Sequence, residues 1–312
     1  MKKISELQQG KENIALLLKE VAERTTKKGS PFLILTLTDG KDDINAKKWD
    51  MSKKDFPYEI GAVLECNMNV STYNGQPDYS VDDMKNITGS VDIGEFVKKS
   101  PGNPEYMYND LLQYVFAMPE SLKTLVFSIL EDHKEKLLYW SAAKSMHHNM
   151  LGGLIYHTYR MVQSAEALCN VYSTANKHLV VAGCILHDIG KIKELNTDNL
   201  GNAAYTMDGN MFGHLMMGAV LIHDYGKTLG TPEALLKELE HIVLSHHGEP
   251  EWGAVVRPAS LEAFLVSQVD MIDAKVMVFE EEYGKLDAGH MSDTRNFMLG
   301  NVFVHKPAPE CF

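Results

Sequence analysis

The stretch Ala182–Glu194, AGCILHDIGKIKE, decides how the larger part of this chain is read. Val180, Val181, Ala182, Cys184, Ile185 and Leu186 form an apolar run of the kind that packs as a helix in a core. His187 and Asp188 interrupt it side by side, followed by Gly190 and Lys191. Two such groups at the end of a buried helix lose hydration, which is costly unless something pairs with them. Imidazole nitrogen and carboxylate oxygen are both ligands of first-row metals, so a metal ion is one partner that answers the need. Taken alone, the pair is more often a His–Asp hydrogen bond at a helix end. The metal reading therefore needs further ligands elsewhere.

The flanking sequence supplies them. Upstream, HHNMLGGLIYHTYRMVQSAEAL puts His157 on an amphipathic helix, with His147 and His148 ahead of it. Downstream lie His214 in MFGHLMMGAVLIHDYG, His246-His247 in IVLSHHGEPEWG and Asp270 in LVSQVDMIDAK. A lone histidine on an apolar face is usually a satisfied core residue, but these positions recur in order on successive helical segments. A second pair, His223-Asp224, is assigned to structure. The only histidine between it and His246 is His241, one turn from His246 on the same helix.

Working outward, the period changes near residue 100. From Glu105 the pattern is helical, as in YNDLLQYVFAMPESLKTLVFSILEDHKEKLLYW and PEALLKELEHIVLSH. Before residue 88 it is strand-like. Two extended runs flank the turn KKGSP, the second alternating Phe32, Ile34 and Thr36 against Leu33, Leu35 and Leu37. DDINAKKWD is a third run, and Asn74-Gly75 marks a hairpin between two more. Five short strands suit a small barrel of OB type, a small open sheet being the alternative. The expected architecture is multidomain α+β: an OB-like nucleic-acid-binding barrel over 1–88, a linker over 89–104 rich in Gly, Ser and Pro, and an all-α domain over 105–312.

Composition narrows the class. The chain has 312 residues, no N-terminal apolar segment of signal-peptide type and no apolar run near the roughly 18 residues of a membrane span. Four scattered cysteines without a CxxC pair fit reduced thiols, so a cytoplasmic location is expected. The net charge of −12 argues against indiscriminate nucleic-acid binding. Lysines 27, 28, 47, 48, 53 and 54 nonetheless interleave with Phe32, Trp49, Tyr73 and Tyr79, and aromatic platforms beside cations are how single strands are gripped. Trp49 beside Lys48 is the leading surface candidate, while Phe32 has an equal claim to the barrel core.

The order H…HD…H…HH…D resembles the HD-domain superfamily of metal-dependent phosphohydrolases. The resemblance implies a first metal ion on His157, His187, Asp188 and Asp270. It implies a second on Asp188, as bridge, with His214 and His246; His247 is a further ligand or a proton donor. Asp188 and Lys191 would be catalytic, the lysine balancing phosphate charge, and His147 and His148 could contact substrate phosphate. Together with the OB-like start, the phrase HH…LGGLIYHT…HDIGK…HLMMG…LSHHG is similar to the YhaM-type 3′–5′ exoribonucleases. This implies hydrolysis of single-stranded RNA, with single-stranded DNA a second candidate. Two divalent ions are expected, manganese first and Fe²⁺, Co²⁺ or Mg²⁺ after it. One alternative is an HD phosphohydrolase acting on a mononucleotide or cyclic dinucleotide. Another is a single-strand-binding protein with a degenerate HD centre. No membrane partner is expected, and the sequence leaves the oligomeric state open.

Overall fold

Leucine alternation builds the N-terminal unit. In the computed structural model, which describes residues 2–73, 75–142, 150–198 and 203–309, five strands run β1 Gly10–Thr25, β2 Pro31–Thr38, β3 Asp43–Trp49, β4 Val63–Tyr73 and β5 Gln76–Asn86. Along β2, Leu33, Leu35 and Leu37 are fully buried while Phe32, Ile34 and Thr36 face outward, the period-2 pattern of a sheet with one solvated side. The strand order is β1-β2-β3-β5-β4, and β4 pairs back onto β1 to close a barrel. β1 can serve both neighbours because its 16 residues are shared. Gly10–Leu17 pair with β4, and Leu17–Thr25 pair with β2 past an irregularity at Leu18/Glu20. The contact between β3 and β5 is parallel, Ala46 opposite Tyr79. This is the order of an OB-type barrel. The open-sheet alternative fails because each of the five strands has a partner on both sides, leaving no edge.

One buried carboxylate organises the β2–β3 turn. Asp39 is 1% exposed and accepts from the backbone N–H of Ile4 at 2.7 Å and of Lys41 and Asp42 at 2.8 Å each. Burial disfavours its charge, yet these three donors hold its carboxyl below the usual range.

The helical unit comprises α1 Pro104–Phe116, α2 Glu120–Asp132, α3 Lys134–Tyr139, α4 Gly153–Val171, α5 Lys177–Leu186, α6 Lys191–Glu194, α7 Met207–Leu229, α8 Glu233–Ser245 and α9 Leu261–Lys285. Two small hairpins interrupt it: β6 Leu195–Thr197 with β7 Ala203–Tyr205, and β8 Met291–Asn296 with β9 Val302–His305. The apolar run of the opening stretch is α5, buried from Leu179 to Leu186. A Cβ on Gly183 would stand 2.9 Å from Ile242 and 3.0 Å from Val266, so α8 and α9 both press directly on this helix. Gly190 serves a second close approach: a Cβ there would stand 2.0 Å from the carbonyl oxygen of His214 on α7.

The chain divides into two compact units, Met1–Lys99 and Ser100–Phe312, and the division falls inside the segment expected as a linker. It also divides the charge. The first unit carries 15 Lys+Arg against 16 Asp+Glu, the second 15 against 26. Cys66, Cys169 and Cys184 are buried free thiols. Among the described residues no helix is long and apolar enough to cross a membrane.

Candidate functional site

Helix ends place the site. The last carbonyls of a helix have no partner within it. His187 caps α5 and directs Nδ1 at the Cys184 carbonyl, 2.8 Å away; His246 caps α8 and does the same with the Val243 carbonyl at 2.7 Å. A carbonyl only accepts, so both rings carry their proton on Nδ1 and present a bare Nε2. His157, in α4, has Nδ1 2.7 Å from Asp273, and His214 has Nδ1 3.0 Å from Glu194. Four imidazoles are thus oriented by a partner on Nδ1, as metal-ligating histidines are.

The Nε2 atoms converge on Asp188, which is 3% exposed. On one side of it, His157 Nε2 lies 3.2 Å from both His187 Nε2 and Asp270 Oδ1. On the other, His214 and His246 approach Asp188 Oδ1 at 3.4 and 3.7 Å. Asp188 Oδ2 is engaged by Lys191 at 2.7 Å and His187 at 3.2 Å. Among the described residues, candidate ligand atoms fall into three sets, each within 4.8 Å: His157, His187 and Asp270; His187, Asp188 and His246; and His214, His246 and His247. Bonds of about 2.0–2.2 Å separate two ligand atoms on one ion by up to about 4.4 Å, so the sets need only slight tightening.

The fit of a cation can be tested on the hydrogen bonds. Asp188 Oδ1, His214 Nε2, His246 Nε2 and His247 Nδ1 are buried and have no hydrogen-bond partner among the described residues. Unsatisfied buried polar atoms are rare, and four around one point are what a bound cation would satisfy. The electrostatics agree. Burial works against charge at Asp188 and Asp270, yet Lys191 with His187 and His214 at the first, and His157, His187 and His246 at the second, keep both carboxyls well below the normal range. Burial, with His187 adding to it, pushes His246 down into its neutral form. His157 moves the other way, up to about 9, because Asp270 and Asp273 outweigh its desolvation.

The six residues expected as ligands, and His247, are brought together here. Lys191 is held on Asp188, and burial of its stem is offset by that carboxylate, which raises its pKa. His147 and His148 lie outside the described residues. His223 and Asp224 are exposed on α7, and His223 bonds Glu240 at 2.9 Å. Asp273, Glu194 and Arg160, whose Nε meets Asp273 at 2.6 Å, were not singled out in the sequence. Their signal was a charged residue close in sequence to an expected ligand, which is too common to act on.

The barrel has its own candidate surface. Phe32 and Trp49 are register partners on the outer face of β2–β3, with ring centroids 4.8 Å apart. Lys47 Nζ stands 5.7 Å from the Trp49 ring and 6.0 Å from that of Tyr73 while pairing with Asp78 at 2.6 Å. Trp49 and Tyr73 are exposed. Tyr79 packs against the barrel core, and Lys48 reaches the Asp82 carbonyl at 2.5 Å. Lys47 rather than Lys48 is thus the cation among the rings.

The chain is similar in part to known proteins. The second OB-fold domain of replication protein A from Methanococcus maripaludis is 25% identical at a TM-score of 0.24, covering 29% of this chain and 98% of that one. A replication protein A heterotrimer bound to ssDNA is 13% identical at a TM-score of 0.22, covering 30% of this chain and 66% of that one. Residues 154–275 match the HD-domain family model and contain all six residues expected as ligands. The chain therefore carries an HD domain, with a His/Asp cluster able to hold metal ions, after a closed five-stranded barrel.

Proposed function

We propose that this protein is a metal-dependent 3′–5′ exoribonuclease of the YhaM type, shortening single-stranded RNA, and secondarily single-stranded DNA, to nucleoside 5′-monophosphates. The observation that carries the reading is the presence, in one chain, of an intact His/Asp cluster and a barrel whose β2–β3 face bears Trp49, Phe32 and Lys47. In OB folds that face binds oligonucleotides. Stacking of a base on an aromatic ring is worth about 1–3 kcal/mol and tolerates any sequence.

Two divalent ions, manganese foremost for a mixed nitrogen and oxygen set, would supply Lewis acidity to the phosphoryl group and lower the pKa of the attacking water. His157, His187 and Asp270 would hold one and His214 and His246 the other, with Asp188 between. Lys191 keeps Asp188 ionised and lends positive charge beside the phosphate. His247, kept neutral by burial and by nearby His214, is in the form that would complete the second set as a ligand. The cavity over the cluster contains a second cation, Lys275, which makes no ion pair among the described residues. Three buried reduced thiols accord with a cytoplasmic setting.

A nucleotide or cyclic dinucleotide is the second reading, favoured by a cavity of about 660 Å³, the size of a small-molecule site. With 5′-labelled single-stranded RNA and Mn²⁺, a ladder of shortening labelled products is expected, abolished by chelator and by Asp188→Ala. Immediate release of the label as mononucleotide reverses the polarity. Cutting of circular RNA defeats the exonuclease reading, and hydrolysis of nucleotides alone transfers the case to the second one.

A further inference from the structure

The floor of the cavity is the His/Asp cluster, but part of its wall comes from outside the HD domain. The turn Asn296–Asn301 between β8 and β9 brings Phe297, Met298, Leu299 and Gly300 to the cavity, beyond residue 275 where the family match ends. The turn is firmly built. Asn296 Oδ1 accepts from the backbone N–H of Met298 at 3.0 Å and Leu299 at 3.3 Å, and Asn301 N–H returns to the Asn296 carbonyl at 2.9 Å. Gly300 and Asn301 supply the left-handed conformations, φ +83° and +61°, that close it. Lys306 Nζ ties the hairpin to the end of α9 through the Tyr283 and Leu286 carbonyls, each at 2.8 Å.

This well-anchored turn holds Phe297 81% exposed. An exposed phenyl ring forgoes the stabilisation of burial, which a ligand seated in the cavity beside it would restore. Two more exposed aromatics line the same cavity: Trp252, 62% exposed and following the His246-His247 turn, and Tyr205, 48% exposed. Aromatic walls over a phosphate-directed floor match the two ends of a nucleotide, base and phosphate.

We infer that Phe297, with Trp252, holds the terminal nucleobase of the substrate by stacking while the His/Asp cluster takes its phosphate. This rests on the nucleic-acid reading of the site and adds to it a base-binding element carried by the C-terminal hairpin. Because any base has a π-face, the clamp is indifferent to sequence but requires a base.

The test compares AMP with ribose 5-phosphate, which lacks only the base, by calorimetric titration of the full-length manganese-loaded protein. AMP should bind about 5- to 150-fold more tightly, the range that one stacked base gives. Phe297→Ala should shrink that ratio at least fivefold and leave the ribose 5-phosphate affinity unchanged, and Phe297→Trp should preserve it. Equal affinities in the wild type, no binding of either compound, or a ratio that Phe297→Ala leaves untouched overturns the inference. If RNA is cut but the base preference is absent, only the clamp falls. If RNA is not cut and the preference is present, the exonuclease reading falls and the clamp stands as a nucleotide site.

Discussion

At the scale of single residues, the site depends on groups that never touch a ligand position. Asp273 sits behind His157 at 2.7 Å and is itself gripped by Arg160 at 2.6 Å. Its charge makes the ring a stronger donor, and such partners typically matter by about 10–100-fold in metal affinity. Asp273→Asn preserves shape and removes the charge. Metal affinity should fall by about that factor in a competitive titration, with far-UV circular dichroism unchanged; an unaltered affinity would mean that the carboxylate only positions Arg160. The sequence made the ligands legible because His187, Asp188, His214 and His246 are polar interruptions of apolar helices, each needing a reason to be there. Asp273 was not legible. It follows Asp270 by three residues in an ordinary amphipathic pattern, and only the packing of α4 on α9 tells the two carboxylates apart.

At the scale of elements, Gly190 shows how helix packing sets ligand position. The Cβ of an alanine there would overlap the His214 carbonyl at 2.0 Å and stand 2.7 Å from Gly218 N. Since α7 must retreat, Gly190→Ala should lose the ion on the His214 side while keeping the one on His157, His187 and Asp270. Elemental analysis should then find about one metal ion per chain in place of two, with a stability loss of about 1–3 kcal/mol from overpacking. Full occupancy in the variant would show that α7 position is not limiting. The β2–β3 turn offers a pH test. Asp39 has its carboxyl lowered in the folded barrel, so its contribution is present above the ordinary carboxylate pKa and lost as pH falls through the lowered value. Asp39→Asn should destabilise the barrel by about 1–3 kcal/mol near neutral pH in urea unfolding, and the gap to wild type should close toward pH 3. A gap independent of pH would assign the effect to geometry alone. The strands of the barrel were readable because leucines alternate with outward residues along them. The hairpins of the helical unit were not: Leu195–Thr197 and Ala203–Tyr205 are too short to show a period, and MSDTRN has no apolar face.

At the scale of the whole molecule, two compact units share one chain, yet one is almost neutral with a lysine-bracketed aromatic face and the other carries an excess of 11 acidic groups, 26 against 15. Dissolved ions should act on these two in opposite senses. Screening weakens the hold of Lys47 and its neighbours on phosphates, and it equally relieves the repulsion between an acidic exterior and a polyanion. The rate on single-stranded RNA should therefore pass through an optimum in ionic strength rather than fall steadily as it does for a basic nuclease. A small uncharged-leaving-group phosphodiester, with little charge to repel and no need of the barrel, should show almost no such dependence. Rates measured from about 20 to 400 mM potassium chloride would decide the matter, a monotonic decline for RNA counting against it. An enzyme tuned this way has its working salt range written into how charge is divided between its halves.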